Sequence, residues 1–152
     1  MKALSVLILS AMLAPSLAAQ SAPSQDDLAI KKTALNYIEG WYAGDAARME
    51  NSLHPELAKR IVFRDAKTGR SQLNQMSAMT LVQKTRAGGG QHTPPERQQK
   101  DVTILDRFEN AAVVKVVASD WIDYLEVVRF DGEWKIINVL WELKPQPEPP
   151  KK

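Results

Sequence analysis

The last apolar block of the chain, residues 120–142, constrains the fold more than any other segment. It contains two long apolar runs that meet at Asp131-Gly132, with three tryptophans among them. An Asp-Gly pair favours a two-residue type I′ turn, because both central residues of that turn need positive φ. The block therefore predicts a β-hairpin in which Phe130 lies opposite Glu133.

This register assigns every residue of the hairpin to one of two faces. One face carries Trp121, Asp123, Leu125, Val127 and Arg129, opposed in order by Glu142, Leu140, Asn138, Ile136 and Trp134. The other carries Ile122, Tyr124, Glu126, Val128 and Phe130, opposed by Trp141, Val139, Ile137, Lys135 and Glu133. Both faces are largely apolar, whereas a sheet with one wetted face alternates apolar and polar residues.

Each face of the predicted hairpin therefore needs a cover. We expect the helices to cover one face and a second copy of the chain to cover the other, in a homodimer formed through the sheet. Tyr124 and Trp141 are the candidate residues of this dimer surface.

The segments before the hairpin predict helices followed by antiparallel strands. Apolar residues recur at helical spacing over 26–43, 46–53 and 77–86. The predicted strands span 60–64, 71–73, 101–108, 111–119, 121–130 and 133–143. Helices first and a run of strands last indicate an α+β fold. The glycines at 88–90 lack the Gly-Lys-Ser/Thr of a phosphate-binding loop and indicate a helix end followed by a loop.

Residues 1–18 have the pattern of a cleaved secretory signal peptide. Lys2 precedes an apolar stretch over 3–13, and Ser16-Leu17-Ala18 is a small-x-small triplet suited to cleavage after Ala18, with Ala19 as the alternative site. The apolar stretch is too short to span a bilayer comfortably. We therefore expect a periplasmic or secreted protein with no membrane attachment after cleavage.

The rest of the chain is interpreted as a linker at 19–25, one domain at 26–144 and a proline-rich, disordered tail at 145–152. The formal net charge is +2, and it falls to +1 without Lys2. No dense basic patch remains apart from the terminal Lys151-Lys152, so a nucleic-acid partner is not expected. The chain has no cysteine, which excludes disulfides and a lipid-modified N-terminal cysteine.

Several stretches together resemble a known family. They are residues 37–45, 53–57, 123–124 and 131–142, the last of which begins Asp-Gly-Glu-Trp-Lys-Ile-Ile-Asn-Val-Leu-Trp. Helices followed by a curved antiparallel sheet with this ending resemble the nuclear transport factor 2-like superfamily, and most closely its lumazine-binding branch. The resemblance implies a cone-shaped, cystatin-like α+β fold with a pocket between sheet and helices. Such proteins often dimerise and include isomerases, dehydratases and non-enzymatic binders, so the fold does not decide the function.

Asp123 and Asn138 are the candidate polar groups of this pocket, because the predicted register makes them diagonal neighbours beside Trp121 and Trp134. A carboxylate in an apolar cavity would lose hydration and could act as a general base. Alternatively, Asp123 accepts hydrogen bonds and orders the edge of the sheet. Tyr124 faces the opposite way, and it becomes a pocket residue only if a bulge inverts the strand.

Aromatic residues on the first helix and one histidine complete the candidate set. Tyr37 and Trp41 could stack on a planar ring or simply pack in the core. His54 precedes a proline at a predicted helix end, where it could act as an acid or base or bind terminal carbonyls. His92 has no metal-ligand spacing with His54, so a metal site is not predicted. No cofactor is predicted either. The candidate ligand-binding residues are Tyr37, Trp41, His54, Trp121, Asp123, Tyr124, Trp134 and Asn138.

The leading hypothesis is an exported protein that binds a small apolar or aromatic ligand between helices and sheet, without chemistry of its own. The alternative is a lyase or isomerase in which Asp123 is the general base and His54 or Asn138 polarises an oxygen. A third hypothesis is an interaction module whose task is the sheet-mediated dimer.

Overall fold

The computed structural model describes residues 22–145, which form three α-helices, one short 3₁₀ helix and six β-strands. The predicted signal peptide at 1–18, the start of the predicted linker at 19–21 and the tail from 146 onward lie outside the described residues. The first helix starts at Gln25, the last residue of the predicted linker.

The helices are α1 (Gln25–Ala43), α2 (Ala46–Ser52) and α3 (Ala78–Arg86), and the 3₁₀ helix spans Pro95–Arg97. Local sequence sets their ends. The Ser24 hydroxyl accepts the Asp27 N–H while the Asp27 carboxylate accepts the Ser24 N–H, a capping box that starts α1. Gly44 ends α1 in the left-handed region with φ 66°, and the Asp45 carboxylate caps α2.

The strands are β1 (Leu53–Arg64), β2 (Ser71–Ser77), β3 (Asp101–Phe108), β4 (Ala111–Val117), β5 (Trp121–Phe130) and β6 (Glu133–Leu143). They form one curved sheet in the order β2-β1-β6-β5-β4-β3. Four of the pairings are antiparallel, as predicted. The pairing of β1 with β6 is parallel, because the chain returns from α2 alongside the last strand, so the sheet is mixed.

The start of β1 corrects the helix end that was predicted around His54 and Pro55. The chain leaves α2 at Ser52 and is already in strand β1 at Leu53. Pro55 lies in the irregular stretch between two segments of β1 that pair with β6, where a residue without an N–H costs no ladder hydrogen bond.

The three helices cover one face of the sheet and enclose the hydrophobic core there. Ile30, Ala34 and Ile38 of α1 are fully buried against inward-facing residues of β4, β5 and β6. The opposite face of the sheet, here called the outer face, exposes Val62, Leu73, Val113, Tyr124 and Leu140. Helices on one side of a largely antiparallel sheet give the α+β architecture that was predicted.

Within residues 22–145, no helix combines the length and apolar character that a membrane crossing requires.

Candidate functional site

The final hairpin has the predicted turn. Asp131 and Gly132 have φ values of 49° and 83°, the positive signs of a type I′ turn. Phe130 pairs with Glu133, and the predicted pairing holds as far as Val127 with Ile136. The turn therefore fixes the register of the first half of the hairpin.

A β-bulge at Ile137 inverts the second half. Asn138 pairs with Glu126, so every later residue of β6 lies on the face opposite to the predicted one. Trp141 consequently pairs with Asp123 on the helix-covered face. Asn138 lies on the outer face, where its Nδ2 donates to Glu126 Oε2 over 2.7 Å. The predicted placement of Asn138 beside Asp123, and of Trp141 beside Tyr124, is therefore wrong.

A buried ion pair between Lys59 and Asp123 lies under the helices. The Lys59 ammonium donates to Asp123 Oδ1 and to the Tyr37 hydroxyl, the latter over 2.7 Å. Asp123 Oδ2 accepts hydrogen bonds from the Tyr37 hydroxyl at 3.2 Å and from Trp121 Nε1 at 2.6 Å. The two charged side chains are only 6% and 0% exposed, so this cluster joins α1, β1 and β5 away from water.

The sequence analysis missed Lys59, although a signal for it exists. Leu57, Lys59 and Ile61 alternate along β1, and all three are buried. A lysine between two inward-facing aliphatic residues indicates a buried cation that needs a partner. The signal was lost because the predicted strand began at Arg60, whereas β1 begins at Leu53 and includes Lys59.

Burial changes the proton affinities of this cluster. Loss of hydration lowers the pKa of Lys59 below its usual 10.5, although the Asp123 carboxylate acts in the opposite direction. Burial, followed by the negative charge of Asp123, raises the pKa of the Tyr37 hydroxyl well above its usual 10.0. Tyr37 is therefore protonated at neutral pH and can donate to Asp123.

A cavity of about 240 Å³ borders the cluster between the helices and the sheet. Its walls are mainly aromatic and aliphatic, and they consist of Tyr37, Trp41, Met49, Lys59, Met76, Leu81, Lys84, Asp120, Trp121, Trp141 and Leu143. The Lys59 ammonium lies 4.8 Å from the centre of the Trp141 ring, a cation–π contact. Lys84 and Leu143 are exposed and mark the open side. An apolar cavity with a few buried polar groups is the usual form of a small-molecule site.

The glycine run after α3 holds one wall of this cavity in place. Gly90 N–H donates to the Trp41 carbonyl over 2.9 Å. A Cβ on Gly90 would lie 2.7 Å from the Trp41 ring, and one on Gly89 would lie 2.5 Å from the Trp41 carbonyl oxygen. The glycines therefore permit a close approach to Trp41 in addition to ending the helix.

Among residues 22–145, no group of three or more His, Asp or Glu side chains is arranged to hold a metal ion.

Comparison with protein families gives a match over almost the whole folded region. The model of the family described as "Putative lumazine-binding" matches residues 25–142. The chain belongs to this family. Membership supports small-ligand binding by this fold. No curated protein matches the chain.

Solved structures that are similar to this chain share its fold. A nuclear transport factor 2-like protein of unknown function from Shewanella baltica OS155 has 16% identity and a TM-score of 0.65, over 84% of this chain and 100% of that one. One from Methylobacillus flagellatus KT has 21% identity and a TM-score of 0.62, over 81% and 96%. A cystatin-like protein of unknown function from Nostoc punctiforme PCC 73102 has 14% identity and a TM-score of 0.53, over 85% and 98%. They show that the chain has the nuclear transport factor 2-like, cystatin-like fold.

In this family member the cavity brings together three of the eight candidate residues, Tyr37, Trp41 and Trp121. Asp123 is fully buried and hydrogen-bonded to two of them, but it does not line the cavity. Tyr124 lies on the outer face and is 42% exposed.

The other candidate residues lie elsewhere. Trp134 is near the turn of the hairpin, where its ring stacks under the Arg129 guanidinium at 5.1 Å. His54 borders a separate cavity of about 200 Å³ between α2, β1 and α3. Its ring is perpendicular to that of Phe130, with the ring centres 4.5 Å apart. The convergence of Asp123 with His54 or Asn138, which the lyase or isomerase hypothesis requires, is absent from residues 22–145.

Proposed function

We propose that this protein binds a small, planar, largely apolar ligand in the aromatic cavity beside the Lys59–Asp123 pair. The observation that carries the proposal is the cavity itself, whose walls include Tyr37, Trp41, Trp121 and Trp141. Trp41 and Trp121 meet edge to face with ring centres 6.3 Å apart, so their orientation is fixed by mutual packing. A flat ring can stack between such walls at little cost in side-chain entropy.

The volume of the cavity supports a ligand of one or two rings. Its 240 Å³ is below the range of about 300–1,000 Å³ for drug-sized ligands. It exceeds the roughly 150 Å³ of an engineered apolar cavity that binds benzene. The family description provides lumazine, which has two fused rings, as a first compound to test.

The positions of the Asp123 oxygens favour binding over general-base catalysis. Both oxygens already accept hydrogen bonds, from Lys59, Tyr37 and Trp121. A base must reach the proton that it removes, within about 2.6–3.2 Å or through one water. Asp123 does not line the cavity, so the lyase or isomerase alternative lacks its base in this arrangement.

Calorimetric titration of the mature protein with lumazine and with 2-naphthalenemethanol tests the proposal. We expect at least one of them to bind, and Leu81→Trp to abolish binding because the larger side chain grows into the cavity. Leu73→Trp, the same change at a side chain that is 61% exposed on β2, should leave binding unchanged. Absence of binding by both compounds, together with no retained small molecule in native mass spectrometry, would contradict the proposal.

We also propose that a second copy of the chain covers the outer face, in a two-fold dimer. Val113, Tyr124 and Leu140 leave this face more apolar than a wetted sheet face normally is. Arg60 and Glu126 lie on the same face and have opposite charges. A two-fold axis can therefore bring Arg60 of one subunit close to Glu126 of the other, and the reverse.

Sedimentation equilibrium tests the dimer. We expect twice the monomer mass for the unmodified protein and the monomer mass for Leu140→Glu, which places a charge in the middle of the outer face. Leu28→Glu changes an equally exposed leucine on α1 and should leave the dimer intact. A monomeric unmodified protein at high concentration would contradict the proposal.

We propose further that the protein acts in the periplasm or outside the cell. Support comes from Lys2, the apolar stretch after it and the small-x-small triplet that ends at Ala18. N-terminal sequencing of the exported protein should begin at Ala19, whereas a retained Met1 in the cytoplasm would contradict export.

A further inference from the structure

Lys59 is the one lysine within residues 22–145 that is both buried and in contact with the cavity. Lys84 also lines the cavity but is exposed at its open side. Lysine has three N–H donors. In Lys59 they face Asp123 Oδ1, the Tyr37 hydroxyl at 2.7 Å and the ring of Trp141. A lysine amine buried at the wall of an apolar cavity is the setting in which lysine serves as a nucleophile toward carbonyl carbon.

The neighbours of Lys59 provide the proton transfers that such a reaction needs. Asp123 can accept one ammonium proton directly, because its Oδ1 is already the hydrogen-bond partner of that group. The Tyr37 hydroxyl contacts both Lys59 and Asp123, so it can relay a proton between the reacting oxygen and the carboxylate. Burial also lowers the pKa of Lys59, which makes the neutral amine more accessible than that of an exposed lysine.

We infer that Lys59 holds a small aromatic aldehyde or ketone as a reversible imine, with its ring between the tryptophans. This inference rests on the proposed function, because the cavity must first bind the ring. Asp123 takes a proton from the ammonium, and the amine nitrogen attacks the carbonyl carbon to form a C–N bond. The carbonyl oxygen gains a proton through Tyr37. Asp123 and Tyr37 then carry a second proton from the nitrogen to the new hydroxyl group. The freed nitrogen lone pair forms the C=N bond as the C–O bond breaks, one water leaves, and the protonated imine remains paired with the Asp123 carboxylate.

The aromatic walls and the shortage of polar groups favour this ligand class over a charged one. The positive charge of Lys59 is already matched by Asp123, so an anionic group placed beside Lys59 would lose hydration without gaining an unmatched cation there. A neutral aromatic aldehyde or ketone has an apolar ring and one electrophilic carbon. The aromatic walls of the cavity can contact the ring, and the Lys59 amine can react with the carbon.

Reductive trapping tests the inference. The mature protein is incubated with 2-naphthaldehyde and cyanoborohydride, which converts an imine into a stable secondary amine, and peptide mass spectrometry locates the modified lysines. We expect saturable modification at Lys59, at least about tenfold faster than at Lys84, because the Lys59 amine has Asp123 and Tyr37 as hydrogen-bond partners that can move its protons. Lys84 is the matched control, since it borders the same cavity.

Two variants separate chemistry from packing. Tyr37→Phe should slow the trapping rate at Lys59 about tenfold or more at saturating 2-naphthaldehyde, because it removes the proton relay. Titration of the same variant with 2-naphthalenemethanol, which cannot form an imine, measures separately any change in ring binding, since Tyr37 is also a wall of the cavity. Lys59→Arg retains a cation for Asp123 and should remove only the fast phase of trapping.

The outcomes distinguish the two levels of the proposal. If 2-naphthalenemethanol binds the unmodified protein but the aldehyde modifies Lys59 no faster than Lys84, the imine is overturned and the binding function stands. If neither naphthalene compound binds and trapping at Lys59 is not saturable, the imine is overturned and the apolar-ligand function has failed with it.

Discussion

Each end of the final hairpin has a cation, a carboxylate and an indole in contact, but the surroundings of the three groups differ. Near the turn, Arg129 pairs with Asp26 and stacks on Trp134, whose Nε1 donates to Asp26 over 3.4 Å. At the open end, Lys59 pairs with Asp123 and contacts the ring of Trp141, and Trp121 Nε1 donates to Asp123. Each end thus contains a cation, a carboxylate and an indole.

The two ends differ in the solvent exposure of their ion pairs and in whether a cavity lies beside them. The charged side chains near the turn are about one-third exposed, and the groove beside Trp134 is lined mainly by polar residues of α1 and by Lys135. The pair at the open end is almost fully buried beside an aromatic cavity. Residue types alone do not identify the functional end. The low dielectric around Lys59 and Asp123 makes the charges there both costly and chemically useful.

The largest difference between the two ends should appear when one cation is removed. Lys59→Met leaves Asp123 charged and buried, and we expect it to cost about 3–5 kcal/mol of the free energy of unfolding. The double variant Lys59→Met/Asp123→Leu should recover most of that loss, because no buried charge remains. Urea unfolding measures both variants.

Arg129→Met is the matched change near the turn. Asp26 stays partly hydrated and keeps Arg107 as a partner, so the cost should be no more than about 1 kcal/mol. Equal losses for the two methionine variants, or a double variant as unstable as Lys59→Met alone, would contradict the assigned difference between the ends.

The sequence predicts the turn end of the hairpin well and the open end poorly, for a physical reason. Asp131-Gly132 acts locally, since its positive φ values set the pairing of the residues beside it. The bulge at Ile137 depends on how β6 fits between β1 and β5, and an isoleucine at this position does not by itself indicate a bulge. The extra residue moves Asn138 to the outer face of the sheet and Trp141 to the helix-covered face.

The helices and most strand ends were predictable because caps, apolar periodicity and turns are local signals. The pocket cluster was not, because it depends on contacts between distant segments. Lys59 and Asp123 are 64 residues apart in the chain and meet only through the parallel pairing of β1 with β6. Aromatic residues on α1 were visible as a possible cavity wall, but nothing local indicated which cation they would surround.

Crowding the aromatic wall is expected to have the next largest effect. Gly90→Ala places a methyl group 2.7 Å from the Trp41 ring, so this wall of the cavity must shift. We expect a cost of about 1–3 kcal/mol in unfolding free energy and weaker binding of 2-naphthalenemethanol. Urea unfolding and calorimetric titration measure the two effects.

Gly69→Ala provides the control for this change. Gly69 has φ 69° and nothing within 4 Å of a new Cβ, so the substitution strains the backbone without crowding the cavity. It should reduce stability by about 1–2 kcal/mol and leave affinity unchanged. A Gly90→Ala variant with undiminished affinity would show that Trp41 is not a wall of the binding site.

Alkaline pH should lower the free energy of unfolding through the buried Tyr37 hydroxyl at the open end. Its pKa is raised in the folded protein, so the unfolded chain loses that proton first, from about pH 10 upward. Stability should therefore fall with rising pH by up to about 1.4 kcal/mol per pH unit from this group. The lowered pKa of Lys59 gives a slope of opposite sign up to its usual 10.5. Comparing the unmodified protein with Tyr37→Phe isolates the tyrosine, and identical slopes above pH 10 would contradict its burial.

The smallest effect should come from the carboxylate near the turn. Asp26→Asn removes the partner of Arg129 and Arg107, but the site is hydrated, and we expect a loss below about 1 kcal/mol. At 1 M salt the Debye length is only about 3 Å, so the attraction between exposed charges is screened. The loss caused by Asp26→Asn should therefore shrink as salt is added. The loss caused by Lys59→Met should be nearly independent of salt, because ions cannot approach a pair that is 6% and 0% exposed. Urea unfolding of both variants at low and high salt measures this contrast. Equal salt dependence would mean that water and ions reach Lys59, and the cavity would then be too wet to favour either ring stacking or an imine.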